Sequence, residues 1–158
     1  MELCQLDKLY VHSLVQYNRV LLQRNRLLKE LAFKPEYETT LDIWDEQLVK
    51  YGVEVITSRR LFIEQLGGII SGIHARLSGG KEEISVLYDP DIREEDFKAA
   101  LEKNRSQDIR QKTTLAGPHR DDINFIVNGI DIRRFGSQGQ QRTAALSLKL
   151  SELELVKL

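Results

Sequence analysis

The stretch best suited to chemistry is GSQGQQRT, residues 136–143, in which a Gly-Ser-Gln-Gly turn leads into a predicted helix. The first N–H groups of a helix lack partners within the helix, and the helix dipole favours negative charge there. Ser137 and the two glycines would let an anion such as phosphate approach these groups closely. An ordinary N-cap also explains Ser137, and from these eight residues alone the cap is the simpler interpretation.

A second group of ionisable side chains lies in GPHRDD, Gly117–Asp122. Gly117-Pro118 predicts a fixed turn, and the four residues that follow lie beside a predicted strand: His119, Arg120, Asp121 and Asp122. A buried Arg–Asp pair that stabilises the turn is one interpretation, and a functional role is the other. The residues alone leave both open.

Both segments resemble the C-terminal signature region of the RecF family, bacterial DNA-repair ATPases of the ABC/SMC type. GPHRDD, the Asn128-Gly129 hairpin and the helix GSQGQQRTAALSLKL occur in the order and spacing of that family. The resemblance is dense from about Thr113 to Leu158. A looser similarity covers Tyr17–Lys29, which is similar to the start of the family's second domain.

In ABC and SMC heads, ATP on the phosphate loop of one subunit is sandwiched by the signature motif of the other. The resemblance therefore implies a set of residues that bind ATP in trans: Ser137, Gln138, Gly139, Gln140, Gln141 and Arg142. Ser137 would donate its hydroxyl to the γ-phosphate, and the N–H groups of Gly139, Gln140 and Gln141 would face the anion. For the four residues of GPHRDD, the implied role is contact with the dimer partner or transmission from DNA to the ATP site.

The resemblance also implies what the complete parent protein does. Such a parent binds DNA, ATP and Mg²⁺, forms an ATP-dependent homodimer, and works with RecO and RecR at single/double-strand junctions. It helps to load RecA at gaps in damaged DNA, in replication, recombination and the SOS response, and it resembles a weak DNA-dependent ATPase. This chain would supply the arm and the signature motif of that protein.

The catalytic motifs of such an ATPase are missing from the sequence. A phosphate loop requires G-x-x-x-x-G-K-S/T, and the nearest candidate has Ala75 and Glu82 in place of the first glycine and the Ser/Thr. A Walker B carboxylate follows an apolar strand, whereas the run before Asp89 contains a polar serine and is followed by proline. We therefore expect no catalytic residue, no ATPase activity and no stably bound nucleotide in this chain alone.

Two other functions stay open. One is a helical arm or dimerisation module with no nucleotide role, and the other is a free-standing enzyme. The enzyme has the least support, because no nucleophile–base pair is evident and the three histidines are too scattered for a metal site.

Composition narrows the classes further. The 158 residues carry a formal net charge of −1, so contact with DNA must come from a local patch. The single cysteine, Cys4, precludes an internal disulfide and a cysteine-based zinc site. No signal peptide and no apolar run of roughly 20 residues is present, so we expect a cytoplasmic protein without membrane contact.

Apolar residues at helical spacing predict a first helix from Glu2 to about Phe33, ended by Lys34-Pro35, and a second from Thr40 to Leu77. Basic residues late in the first helix and acidic residues early in the second predict an antiparallel pair. A third helix is predicted over about Ile92–Ile109.

Strands are predicted over Glu82–Tyr88, Ile123–Val127 and Ile130–Phe135, the last two joined by a type I′ turn. In the third of these, Arg133 and Arg134 would lie on opposite faces. The final helix, from about Ser137 to the last residue, is apolar around too much of its circumference for a one-sided surface helix, so we expect a piece of a larger protein.

Together these patterns predict an α+β fold that is mostly α-helical. An antiparallel helical-hairpin arm precedes a small β-hairpin and the signature helix of a split ABC-type ATPase head. The predicted domains are an arm over residues 1–112 and a signature region over residues 113–158.

Overall fold

Two long helices dominate the first half of the chain in the computed structural model, which describes residues 7–157. Helix α1 (Lys8–Glu30) begins where Asp7 Oδ1 accepts the N–H groups of Leu9 and Tyr10, at 2.8 and 3.1 Å. A 3₁₀ turn over Pro35–Thr40 leads into α2 (Leu41–Leu77), which is helical throughout its 37 residues. The predicted start of the first helix at Glu2 lies outside the described residues, and the helix ends three residues before the predicted Phe33.

The two helices run antiparallel, as the charge pattern predicted. Arg24 Nε lies 2.6 Å from Asp45 Oδ1, and earlier in α1 the Ser13 hydroxyl donates to the Glu54 carboxylate. Positions earlier in α1 thus meet positions later in α2, which only an antiparallel arrangement produces.

The residues group into two compact units that interleave along the chain. A helical unit contains Asp7–Ser58 and Pro90–Asp121, and a mixed unit contains Arg59–Asp89 and the chain from Asp122 onward. Helix α2 therefore contributes its first part to one unit and its second part to the other. The predicted domain boundary between residues 112 and 113 marks where the family resemblance becomes dense, and it stays a prediction.

Helix α3 (Phe97–Gln111) completes the helical unit. It begins five residues later than predicted, because Glu94–Asp96 form a separate 3₁₀ turn. Phe97 and Leu101 are fully buried, and Phe97 packs directly over Gly52 of α2, where a Cβ would clash with its ring. The close approach at Gly52 allows α2 and α3 to pack tightly.

A three-stranded antiparallel sheet lies in the mixed unit: β1 (Ile84–Asp89), β2 (Asp122–Val127) and β3 (Ile130–Asp131), in that order. Ile84 pairs with Val127, and Ile126 pairs with Asp131. Asn128 and Gly129 have φ of 50° and 80°, as a type I′ turn requires, so the predicted hairpin is confirmed.

The predicted third strand is wrong beyond its second residue. Ile132–Phe135 form a short helix, α4, because Asp131 Oδ1 accepts the N–H of Arg133 at 2.9 Å and turns the backbone out of the sheet. Ile132 is buried beneath this turn. Arg133 and Arg134 consequently lie on a helical turn and not on opposite faces of a strand.

Helix α5 (Gln138–Val156) belongs to the same unit as the second part of α2, and Ser147 Oγ of α5 lies 2.9 Å from His74 Nδ1 of α2. The buried side of α5 consists of Ala144, Ser147, Ser151, Glu152 and Leu155. Leu146, Leu153 and Val156 are exposed, so apolar residues lie on both sides of the helix as expected. The α+β, mostly helical fold class is confirmed. None of the helices within residues 7–157 combines the length and apolarity needed to cross a membrane.

Candidate functional site

Ser137 is the N-cap of α5. Its Oγ accepts the N–H of Gln140 at 3.1 Å, and Gln140 Oε1 accepts the N–H of Ser137 at 3.0 Å, so the two residues form a capping box. The cap predicted for Ser137 is therefore present. Because Ser137 Oγ acts as the acceptor in this bond, its hydroxyl proton stays available for donation to a group outside the chain.

The N–H groups at the start of α5 are not equivalent. Gln140 N–H is occupied by the cap, and Gln141 N–H donates to the Ser137 carbonyl at 3.0 Å. Within residues 7–157, the N–H groups of Gln138 and Gly139 have no acceptor. Of the three N–H groups expected to face an anion, those of Gly139, Gln140 and Gln141, only that of Gly139 is unoccupied. The N–H group of Gln138 is a second unoccupied donor that was not expected.

The two glycines of this segment have different surroundings. A Cβ at Gly136 would lie 2.5 Å from the Ile132 carbonyl oxygen, so the packing of the chain itself requires glycine there. A Cβ at Gly139 would meet nothing closer than Ser137 Oγ, at 3.8 Å. Nothing in the described chain requires a glycine at 139, and the space in front of it is open.

The other side chains of the segment divide between internal and external roles. Gln141 Nε2 donates to the Ile132 carbonyl at 2.9 Å and ties the start of α5 to α4. Gln138 and Arg142 are exposed. Arg142 has no ion-pair partner in the described part of the chain, so its charge faces outward about one turn into the helix.

His119 is bound at both ring nitrogens. Nε2 lies 3.1 Å from the Thr114 carbonyl oxygen, which can only accept, so this nitrogen carries the proton. Nδ1 therefore accepts from the Tyr17 hydroxyl at 2.7 Å. Burial lowers the pKa of His119 below its ordinary value of 6.5, which favours this neutral ring.

The turn around His119 is held by one aspartate from outside the GPHRDD segment. Asp91 Oδ2 accepts the N–H of Gly117 at 3.0 Å, and Asp121 Oδ1 accepts the N–H of Asp91 at 3.0 Å. Arg120 Nε lies 3.6 Å from Asp91 Oδ1. An Arg–Asp pair is thus present, but it is half exposed and Asp91 lies outside the segment.

Asp122 belongs to the mixed unit and pairs with Arg133. Arg133 Nη1 donates to Asp122 Oδ1 at 3.0 Å, and Nη2 donates to the other carboxylate oxygen. These bonds, together with the N–H of Ile123, lower the pKa of Asp122 to about 2. His119, Arg120 and Asp121 belong to the helical unit.

Sequence reasoning missed the buried centre of the helical unit. Arg24 is fully buried; its Nε bonds Asp45, while Nη1 bonds Asp108 Oδ2 and Thr114 Oγ1, both at 2.8 Å. Burial raises the pKa of the Asp108 carboxyl, although its hydrogen bond with Arg24 acts in the opposite direction. This network fixes Thr114, the residue whose carbonyl orients His119.

A second buried network links α2 to α5. His74 Nδ1 lies 2.9 Å from Ser147 Oγ, and Nε2 lies 3.1 Å from Glu82 Oε2. The hydrogen-bonded series Ser147–His74–Glu82 has the residue types of a hydrolase catalytic triad. Ser147 is fully buried, however, and its hydroxyl also donates to the Thr143 carbonyl at 2.7 Å. A substrate has no access to it, so the contact is structural. In the described residues, no group of three His, Cys, Asp or Glu side chains is placed to hold a metal ion.

Comparison with known proteins relates the chain to one group of proteins. No family model matches the chain. A protein from Lachnospira eligens, named DNA replication and repair protein RecF, is 58% identical over the whole chain. Proteins of the same name from Agathobacter rectalis and Halalkalibacterium halodurans are 54% and 43% identical over 99% of it.

Solved structures agree with these relatives. A structure described as the recombination mediator protein RecF with ATP in the RecFOR pathway matches 96% of the chain, with a TM-score of 0.89 and 37% identity. The chain covers 43% of that protein and 44% of the relative from Lachnospira eligens. It therefore spans less than half the length of the proteins that it matches.

Proposed function

The chain belongs to the RecF family, and from this membership we propose that it is the arm and signature part of a DNA repair and recombination protein that binds ATP and DNA. In the proposed complex, ATP held by one protomer contacts the start of α5 of the other protomer. The contact residues are those of the signature segment: Ser137, Gln138, Gly139, Gln140, Gln141 and Arg142.

The observation that carries the proposal is the exposed start of α5. The N–H groups of Gln138 and Gly139 have no acceptor within residues 7–157, and nothing in this part of the chain requires a glycine at 139. Ser137 can donate its hydroxyl proton to a phosphate oxygen while it keeps the cap on Gln140. Donors fixed by a helix need no rearrangement to bind an anion, and the helix dipole adds to the attraction.

The remaining residues of the segment support these contacts from behind. Gln140 holds Ser137 through the capping box, and Gln141 fixes α5 on α4. Arg142, which has no ion-pair partner within residues 7–157, would offer its positive charge to the triphosphate. When bound, ATP supplies the charged group that joins the two protomers, and Mg²⁺ would accompany it in the complete protein.

For the GPHRDD segment we propose a division of roles. His119 and Asp121 hold the turn, because their polar atoms bond Tyr17, Thr114 and Asp91 of the same unit. Arg120 is half exposed, and its 3.6 Å distance to Asp91 Oδ1 is longer than a hydrogen bond. We therefore propose Arg120 as the residue of this segment that contacts the dimer partner.

The partners of the complete protein follow from the family. We propose a homodimer that binds DNA at single/double-strand junctions, acts with RecO and RecR, and supports RecA loading. The RecFOR pathway named for the matching structure supports the link to RecO and RecR.

The alternative is an arm and dimerisation module with no nucleotide role. The complete capping box favours it, because Ser137 has a structural task without any ligand. A test must therefore separate capping from anion binding.

Two substitutions at Ser137 in the full-length protein separate the two functions. Ser137→Asp keeps an N-cap of equal quality but places a negative charge against the phosphate, and Ser137→Arg removes the cap at a cost of about 1 kcal/mol. We expect both variants to remain folded and to lose ATP-dependent dimerisation, measured by sedimentation velocity with and without ATP. If Ser137→Asp dimerises with ATP as the unmodified protein does, the nucleotide role is wrong and the alternative stands.

A further inference from the structure

Phe135 has a large apolar side chain that is exposed to solvent, close in the chain to the proposed nucleotide contact at Ser137. The residue is 77% exposed, although it lies only two positions before Ser137. Arg134, beside it, is also exposed, and its Nε is 3.7 Å from Asp131. The surface around the phenyl ring therefore combines an aromatic group with positive charge.

The backbone that presents Phe135 is fixed on both sides. The Ile132 carbonyl oxygen accepts the N–H of Gly136 at 3.0 Å and the side-chain amide of Gln141 at 2.9 Å. Ile132 itself is buried, and Gly136 has no room for a Cβ. The ring is thus displayed by a rigid corner between α4 and α5, which can keep it outward at little further loss of conformational entropy on binding.

We infer that Phe135 packs against a second copy of the protein at the rim of the ATP site, an inference that rests on the proposed function. Consecutive Cα atoms are 3.8 Å apart, so Phe135 lies within about 8 Å of Ser137 along the chain. A protomer whose nucleotide touches Ser137 would therefore come close to this corner. Aromatic side chains displayed in this way are typical anchors of protein interfaces.

The charge around the ring fits the same partner. Arg134 is exposed on this corner, and Arg142 is exposed about one turn into α5. A protomer that brings a triphosphate to Ser137 would place its negative charge among these side chains, while Phe135 excludes water at the edge.

The test compares two exposed phenylalanines in the full-length protein. Phe135→Ala removes the proposed anchor, and Phe33→Ala is the matched control, since Phe33 is 85% exposed and belongs to the helical unit. We expect Phe135→Ala to weaken ATP-dependent dimerisation by about tenfold or more, and Phe33→Ala to change it less than about twofold. ATP affinity of the monomer, measured below the dimerisation concentration, should stay unchanged in both variants.

The outcomes separate this inference from the proposed function. Normal dimerisation of Phe135→Ala, alongside loss of dimerisation in Ser137→Asp, overturns the inference and leaves the ATP contact in place. Weak dimerisation of Phe135→Ala with an unaffected Ser137→Asp overturns the nucleotide role, and with it the position of Phe135 at the rim of an ATP site. Equal weakening by Phe33→Ala, or a lower ATP affinity of the Phe135→Ala monomer, overturns the inference as well.

Discussion

Three glycines show how one residue type serves different purposes in this chain. Gly117 has φ of +138°, and a Cβ there would clash with the Tyr17 hydroxyl, so the fold requires it. Gly136 is required by the Ile132 carbonyl. Gly139 has no positive φ and no close neighbour within residues 7–157, so the described fold does not require a glycine there.

Gly139→Ala tests this distinction. We expect the stability of the variant to be unchanged or to rise by up to about 1 kcal/mol, because alanine suits a helix better than glycine. ATP-dependent dimerisation of the full-length variant should fall, since the added methyl group occupies the approach to the free N–H groups. Gly117→Ala is the contrast: it should lower the free energy of unfolding by about 2 kcal/mol or more. Urea unfolding measures the free energy of unfolding of both variants. Normal ATP-dependent dimerisation of Gly139→Ala would contradict the proposed approach of a phosphate to Gly139.

His119 makes the helical unit sensitive to acid. Its pKa is lowered in the folded state, so below pH 6.5 the unfolded chain takes up the proton first and stability falls as the pH falls. Above pH 6.5 both states are neutral and the contribution of the ring is complete. We expect an NMR titration to give His119 a pKa below 6.5, and Tyr17→Phe to raise it, because the hydroxyl bonds the neutral ring. A His119 pKa above 6.5 would contradict the bonding described here.

At this scale the sequence predicted local contacts and missed distant ones. The cap at Ser137 and the turn at Asn128-Gly129 depend on neighbouring residues, and both are present. Arg24 is one of the basic residues late in the first helix; it is fully buried, and its partners lie 21 to 90 positions away. Nothing in the spacing of Arg24 distinguishes it from Arg26, which is exposed on the same helix.

The elements were predictable where periodicity was long. Helix α2 differs from its prediction by one residue at the start, because its apolar pattern extends over ten turns. The prediction of the third strand was wrong because the apolar alternation was followed beyond Asp131, whose side chain caps α4. A four-residue helix gives no periodic signal, and only the capping aspartate could have indicated it.

Two glycines of α2 allow a test of helix packing. Gly52→Ala should destabilise the chain by about 1–3 kcal/mol, because the new methyl group clashes with the Phe97 ring. Gly67→Ala, in the same helix with no atom within 4 Å of its Cβ position, should instead stabilise the chain by about 0.5–1 kcal/mol. Thermal unfolding of both variants measures the difference, and a destabilised Gly67→Ala with an unaffected Gly52→Ala would refute the packing.

For the whole molecule, the decisive fact is that the chain spans less than half the length of the relatives and solved structures described above. The sequence revealed the family through short dense motifs, which lie in the signature region. It also lacks the phosphate loop and the Walker B motif. The part of the ATP site that contains the phosphate loop and the Walker B carboxylate is therefore expected elsewhere in the parent protein.

The isolated chain should consequently have no ATPase activity. Phosphate release with ATP and Mg²⁺ is expected to equal the buffer background, and ATP binding measured by calorimetry should be weak, because only the signature side of the site is present. The full-length protein under the same conditions is the positive control. Turnover by the isolated chain above background would place catalytic residues where the account has none.

The most direct measurement of the central claim is a structure of the full-length homodimer with a non-hydrolysable ATP analogue. We expect Ser137 Oγ of one protomer to lie within hydrogen-bond distance, about 2.5–3.0 Å, of a γ-phosphate oxygen bound by the other protomer. We also expect the N–H groups of Gln138 and Gly139 to be directed at that phosphate. A dimer in which Ser137 is covered by its own protomer, or faces away from both nucleotides, would contradict this claim.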